Sequence, residues 1–265
     1  MREMNKIVGD SDILWITLDT LRWDVAQDAF WKGELPNISK LMPSTGWEER
    51  HSPGSFTYAA HHAFFSGFLP TLAKPGPHPR LFAARFPGSE TTAPNTFTFE
   101  EATLPEALSK SGYRTHCIGG VGFFNKQTAL GSVLPGLFDE SEWKPSWGVT
   151  SRNSAQLQFE RAAEVLAESD APHFLFINVS AIHQPNCHYL PDCQTDGLES
   201  HRAALRYVDS TFPILLDALK RRSRVFGAVF GDHGTAYGED GFYGHRNGLS
   251  SVMNVPYFDF LLENS

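Results

Sequence analysis

Four short stretches carry side chains that could do chemistry together. Asp19 closes the apolar run ILWITL and is followed by Thr20, Leu21, Arg22 and Asp24. A carboxylate just past the carboxyl end of a buried strand lies where α/β folds bind ligands, and its hard oxygens can coordinate a metal. The same residue can equally cap a helix or close a turn. In Ser55-Phe56-Thr57-Tyr58, followed by Ala59, Ala60, His61, His62 and Ala63, the small residues read as a helix start. Free amide N–H groups and the helix dipole there favour an anion beside a hydroxyl, which makes Thr57 a candidate nucleophile. Capping of the helix by Ser55 or Thr57 is the alternative.

Asp232 and His233 directly follow the run VFGAVF, so a carboxylate and an imidazole leave one strand end together and enter glycine-rich loops. His245 returns toward the same place from the loop GFYGHR, in which Arg246 is the next residue. Asn178, Ser180 and His183 form a further polar cluster after the run FLFINV, where a satisfied structural histidine is the competing reading. Asp19, Thr57, His183, Asp232 and His233 all fall at strand ends or a helix start, on what would be one rim of one sheet. That coincidence favours a shared metal-assisted site over separate structural explanations.

The elements that must position these groups alternate. Strands are expected at Ile13–Leu18, Tyr113–Ile118, Phe174–Val179 and Val225–Phe230, runs too continuously apolar for one wet face. Helices are expected at Leu104–Ser111, at Gln156–Glu168 and at Ser200–Arg221. The last carries Leu205, Val208, Phe212, Leu215 and Leu219 on one stripe, with a kink expected at Pro213. This order predicts an α/β fold, a largely parallel central sheet flanked by helices on both faces. No repeat or low-complexity tract divides it, so residues 1–265 read as a single domain. The Pro- and Gly-rich stretch Pro70–Asn95 reads as a surface excursion, either a lid or a plain connection.

Composition narrows the function classes. With 41% hydrophobic residues and 21 Phe, the chain can bury a large core. A net charge of −8 disfavours nonspecific nucleic-acid or anionic-membrane binding. No apolar run approaches the ~18 residues of a membrane span, and MREMNKIVGDSD lacks the apolar stretch of a secretory signal, so a cytoplasmic location is expected. Cys117, Cys187 and Cys193 are too few and wrongly spaced for a zinc knuckle and read as reduced thiols. Trp143 and Trp147 are expected to pack. A P-loop, a dinucleotide fingerprint and a serine-hydrolase elbow are missing.

The succession LDTLRWD, SPGSFTYAAHHAFFSGFLP, GYRTHCIGG, NVSAIHQP, ALRYVDSTFPILLDALK and GDHGTAYGEDGFYGHR resembles the sulfatase-like branch of the alkaline phosphatase superfamily, and a compact bacterial group within it, from about Ile13 to Pro256. The resemblance implies a parallel-rich sheet flanked by helices. It places Asp19, Asp232 and His233 on metal-binding positions, Thr57 on a nucleophile that also touches the metal, and His183 and His245 on positions that bind a second metal or the substrate's oxyanion. Formylglycine sulfatases need a C/S-x-P-S-R signature, and the matching stretch Thr57–His61 has no Cys, Pro or Arg, which argues against sulfatase chemistry. Threonine is what phosphodiesterase, phosphonoacetate-hydrolase and phosphoethanolamine-transferase relatives use. The family's anion-binding lysine is missing from Gly119–Phe124, with Lys126 or the 70–95 stretch as possible replacements. Val179 stands where a second-site Asp would precede His183.

The resulting expectation is a metal-dependent hydrolase of phosphate or phosphonate esters acting through a phosphothreonine on Thr57, on a small-molecule substrate. One firm divalent-metal site is expected, zinc or manganese by its mixed Asp and His ligands. The alternatives are a phosphotransferase to an alcohol acceptor and a non-catalytic metal-binding relative.

Overall fold

The computed structural model describes residues 2–67 and 103–264, together with the backbone of two short strands between those spans. In chain order the elements are β1 (Asp12–Leu18), α1 (Trp23–Trp31), β2 (Glu48–His51), α2 (Thr57–Ser66), β3 (Phe82–Ala83), β4 (Phe97–Thr98), α3 (Leu104–Lys110), β5 (Arg114–Ile118) and β6 (Glu140–Glu142). There follow α4 (Ser154–Ala167), β7 (His173–Val179), α5 (Leu198–Leu219), β8 (Arg224–Gly231), β9 (Ala236–Tyr237), β10 (Tyr243–Gly244), α6 (Ser250–Met253) and β11 (Asn254–Glu263). Apart from the backbone of β3, the stretch Pro70–Asn95 lies outside the described residues.

Seven strands form one sheet in the order β2-β11-β8-β1-β7-β5-β6. From β8 to β6 the neighbours are parallel; β11 runs antiparallel to both β8 and β2. Side-chain alternation along each strand splits the core in two. Leu14, Ile16, Leu18, Ile177, Val179 and Val229 pack with α1, α4 and α5 residues on one face. Ile13, Phe174, Phe176 and Phe226 pack with Phe65 of α2 and Leu108 of α3 on the other. The expected α/β architecture is therefore the observed one, with helices covering both faces. Among the described residues no helix is long and apolar enough to cross a membrane.

Two local details of the helices can be set beside the expectations. Helix α5 carries Pro213 inside its span. Proline removes the N–H that would bind the carbonyl four residues back, and Asn37 Nδ2 takes up that carbonyl, on Asp209, at 3.1 Å. Helix α4 begins two residues before the expected Gln156, at Ser154. Trp147 is buried, and Trp143 donates its indole N–H to the Gly120 carbonyl at 2.9 Å, so both pack. All three cysteines are free.

Candidate active site

Register brings the two acidic ends together. β1 and β8 are parallel neighbours with Leu18 opposite Gly231, so Asp19 and Asp232 leave adjacent strands at the same level. The Asp19 amide donates to the Val179 carbonyl of β7 at 3.1 Å, which ties the turn to the strand on its other side. Thr20 is held in the left-handed region (φ 64°) and donates its amide to Asp232 Oδ1 at 3.2 Å. Asp232 Oδ1 also accepts from the His233 amide at 2.9 Å. His233 hydrogen-bonds the Gly234 carbonyl through Nδ1 at 2.8 Å. A carbonyl can only accept, so Nδ1 carries the proton and the Nε2 lone pair faces the carboxylates. Gly234 is required here: a Cβ would lie 2.0 Å from the Ser251 carbonyl oxygen.

Thr57 enters as the first residue of α2, behind Phe56 as N-cap, with no side-chain cap. Neither Ser55 nor Thr57 caps the helix, which removes the structural alternative for this hydroxyl. Thr57 Oγ1 instead lies 3.2 Å from His233 Nε2 and 3.4 Å from Asp19 Oδ2, and it is buried. The structure thus joins Asp19, Thr57, Asp232 and His233 from both ends of the chain. His183 and His245 stand beside them: the His245 ring centroid is 4.7 Å from that of His233 and 5.8 Å from that of His183. His183 hydrogen-bonds the Gln184 carbonyl through Nδ1 at 2.6 Å, which leaves its Nε2 bare. Asp24 is drawn away by Arg22, whose Nε and Nη2 bind its two carboxylate oxygens at 2.9 and 2.6 Å. Lys126 donates to the Ser141 carbonyl at 2.7 Å and does not join the cluster.

One ligand atom from each of Asp19, Asp232 and His233 lies within 4.8 Å of the others. Asp19 Oδ1 and Asp232 Oδ2 are buried with no hydrogen-bond partner. An unsatisfied buried carboxylate oxygen is costly, and two of them facing one imidazole lone pair fit a divalent cation. In the protein alone, burial and the neighbouring Asp232 push the Asp19 carboxyl up to about 6, and burial pushes Asp232 up to about 7. Burial drives His233 down and, together with the neighbouring His233, drives His245 down to about 4, so both rings are neutral near pH 7.

The buttressing residues were not assigned roles from sequence. Asn178 of β7, opposite Thr17 of β1, donates Nδ2 to Asp19 Oδ2 at 3.1 Å and accepts the Val121 amide on Oδ1 at 2.9 Å. His61, one turn into α2, reaches the Thr57 carbonyl through Nδ1 at 2.7 Å and Thr17 Oγ1 through Nε2 at 3.2 Å. The available signal was an Asn inside an otherwise apolar strand.

The Sulfatase family model matches residues 11–258. Arylsulfatase J of Mus musculus is 29% identical over 127 residues, 36% of this chain and 21% of that protein, so the chain spans about a fifth of this curated relative. The fold is similar to the soluble domain of lipooligosaccharide phosphoethanolamine transferase A from Neisseria meningitidis, at 16% identity and TM-score 0.65, covering 96% of this chain and 77% of that one. It is also similar to the C-terminal periplasmic domain of EcEptC from Escherichia coli in complex with Zn, at 12% identity and TM-score 0.63, covering 97% and 73%.

Proposed function

Because the chain belongs to the sulfatase family, we propose that it is a metal-dependent phosphoryl-transfer enzyme whose nucleophile is Thr57. The observation that carries this reading is the buried Thr57 hydroxyl, which caps no helix and lies within 3.4 Å of both Asp19 and His233 beside two unpartnered carboxylate oxygens. A divalent cation held by Asp19, Asp232 and His233 would supply the Lewis-acid charge that acidifies the hydroxyl and balances the phosphoryl oxygens. Carboxylate and imidazole ligands suit zinc or manganese. Threonine cannot become the aldehyde hydrate of formylglycine sulfatases, whereas its oxygen can attack phosphorus.

Thr57 donates its proton toward Asp19 Oδ2 as Oγ1 bonds to phosphorus and the bond to the leaving oxygen breaks, giving a phosphothreonine. Asn178 holds Asp19 in place for this, and the first-turn amides of α2, which no side chain caps, would donate to the phosphoryl oxygens. In the second step the oxygen of water or an alcohol bonds to phosphorus as the bond from phosphorus to Thr57 Oγ1 breaks and Oγ1 takes back the proton held by Asp19. His183, with Nδ1 fixed on Gln184, accepts the incoming group's proton at Nε2, and His245 stabilises the oxygen that leaves in the first step. With water as acceptor the enzyme hydrolyses phosphate or phosphonate esters. Transfer to an alcohol is the second reading, supported by the structural likeness to a protein named a phosphoethanolamine transferase. The substrate is proposed to be a small phosphoester in the cytoplasm rather than a nucleic acid or membrane lipid, in keeping with the acidic chain and three free thiols.

Elemental analysis of the purified protein, combined with turnover of aryl phosphate mono- and diesters in water and in glycerol, tests the proposal. Bound divalent metal and a loss of at least about a thousandfold in Thr57→Ala are expected. Full metal-dependent turnover by Thr57→Ala would overturn it, and phosphoglycerol among the products would select transfer.

A further inference from the structure

The loop that brings His245 to the site also delivers a cation that the phosphoryl-transfer steps do not use. Arg246 is exposed, with its backbone in the left-handed region (φ 70°), and its amide donates to the Ser55 carbonyl at 2.8 Å. Its loop is thereby stapled to the residues just ahead of α2. The guanidinium lies over the Phe56 ring, Cζ 5.2 Å from the centroid, and Phe56 is the N-cap residue immediately before Thr57. Stacking on an aromatic face fixes the plane of the fork. Arg22, Arg50, Arg114, Arg161 and Arg222 each hold a carboxylate, whereas Arg246 has no ion-pair partner among the described residues. An oriented cationic fork is therefore left without a carboxylate partner among the described residues, beside the nucleophile's helix end.

The charge count at the site gives this fork a task. Two ionised carboxylates offset a divalent cation, so the buried centre itself offers little net positive charge to a substrate. A phosphate monoester is a dianion; a diester is a monoanion with an ester group where the monoester has a second charged oxygen. We propose that Arg246 binds this second anionic oxygen, which makes the site selective for phosphate monoesters over diesters. The assignment rests on the phosphoryl-transfer reading for its substrate, but it concerns anion binding at a residue outside the metal cluster. The guanidinium presents paired donors in a fixed fork, which a neutral rim residue cannot do.

The test compares wild type, Arg246→Ala and Arg246→Lys, each loaded with manganese and checked for equal metal content. Turnover of p-nitrophenyl phosphate and bis(p-nitrophenyl) phosphate is measured beside calorimetric binding of inorganic phosphate. Arg246→Ala is expected to lower kcat/KM for the monoester at least ~tenfold more than for the diester, chiefly through KM, and to weaken phosphate binding by a similar factor. Arg246→Lys is expected to recover part of both. Equal effects on the two esters, together with unchanged phosphate binding, would overturn the assignment. If neither ester turns over but phosphate binding depends on Arg246, the phosphoryl-transfer reading fails while this anion site stands. Turnover that needs Thr57 but is indifferent to Arg246 would remove the anion site and leave the phosphoryl-transfer reading in place.

Discussion

Asp19 and Asp232 stand side by side because Leu18 pairs with Gly231, and each presents one carboxylate oxygen that nothing in the protein satisfies. Burial raises both carboxyls, to about 6 and about 7, so below those values the pair holds protons and above them it needs a cation. For a carboxyl raised in the fold, stability is complete below the unfolded value near 4 and is lost as pH rises through 6 to 7. Metal must therefore displace protons at pH 5.5 but not at pH 8. The increase in melting temperature on adding zinc or manganese should be larger at pH 8, and Asp232→Asn should flatten the difference. An equal increase at both values would show that the pair is not the ligand set.

Asn178 is the donor that orients Asp19, and it is locked by the Val121 amide on its other end. Groups that orient a metal ligand typically matter ~10- to 100-fold in affinity. Asn178→Ala should weaken manganese binding by that order in calorimetry while leaving the far-ultraviolet spectrum intact. Unchanged affinity would mean that Asp19 is positioned by its backbone alone.

The site's ligands were legible in the sequence because Asp19, Asp232 and His233 directly follow the strongest apolar runs, whose carboxyl ends a parallel sheet must gather on one rim. Thr57 was legible from the small residues behind it. The part of Asn178 was not, since it depends on the register that sets Thr17 opposite Asn178, across some 160 residues of chain. The same limit hid the seat of Arg246 on Phe56. Strands β1, β5, β7 and β8 could be read directly. β2 is the charged, fully exposed segment EERH at the sheet's edge and shows no apolar pattern, while β11 carries Pro256, a residue that cannot donate to a ladder, in the stretch that pairs with β2 before the apolar run YFDFLL meets β8.

His61 is a polar plug in an aromatic face, ringed by Phe64, Phe65, Phe124 and Phe176 and bonded to Thr57 and Thr17. His61→Phe keeps the volume and removes both bonds, so it should cost about 1–3 kcal/mol at pH 7.5 in denaturant unfolding. Burial drives the His61 pKa down to about 3, whereas the unfolded ring titrates near 6.5. The unfolded state thus binds the extra proton, and the stability tied to this neutral ring is lost as pH falls through that window. The variant should lose less stability than wild type between pH 7 and pH 5. A steeper loss would mean that the ring is charged in the fold.

Pro213 and Asn37 form a second coupled pair, away from the chemistry, where α5 meets the connection between α1 and β2. Proline orphans the Asp209 carbonyl, and Asn37 Nδ2 fills the vacancy while the Asn37 and Ile38 amides bind the Asp209 carboxylate. Asn37→Ala therefore leaves a carbonyl that no helical N–H can reach, and about 1–3 kcal/mol of unfolding free energy should be lost. Pro213→Ala supplies that N–H, so in its background the same Asn37→Ala change should cost less, with a coupling of at least ~0.5 kcal/mol in a double-mutant cycle. Additive effects would mean that the carbonyl is satisfied by water, and that α5 runs through its proline without help from Asn37.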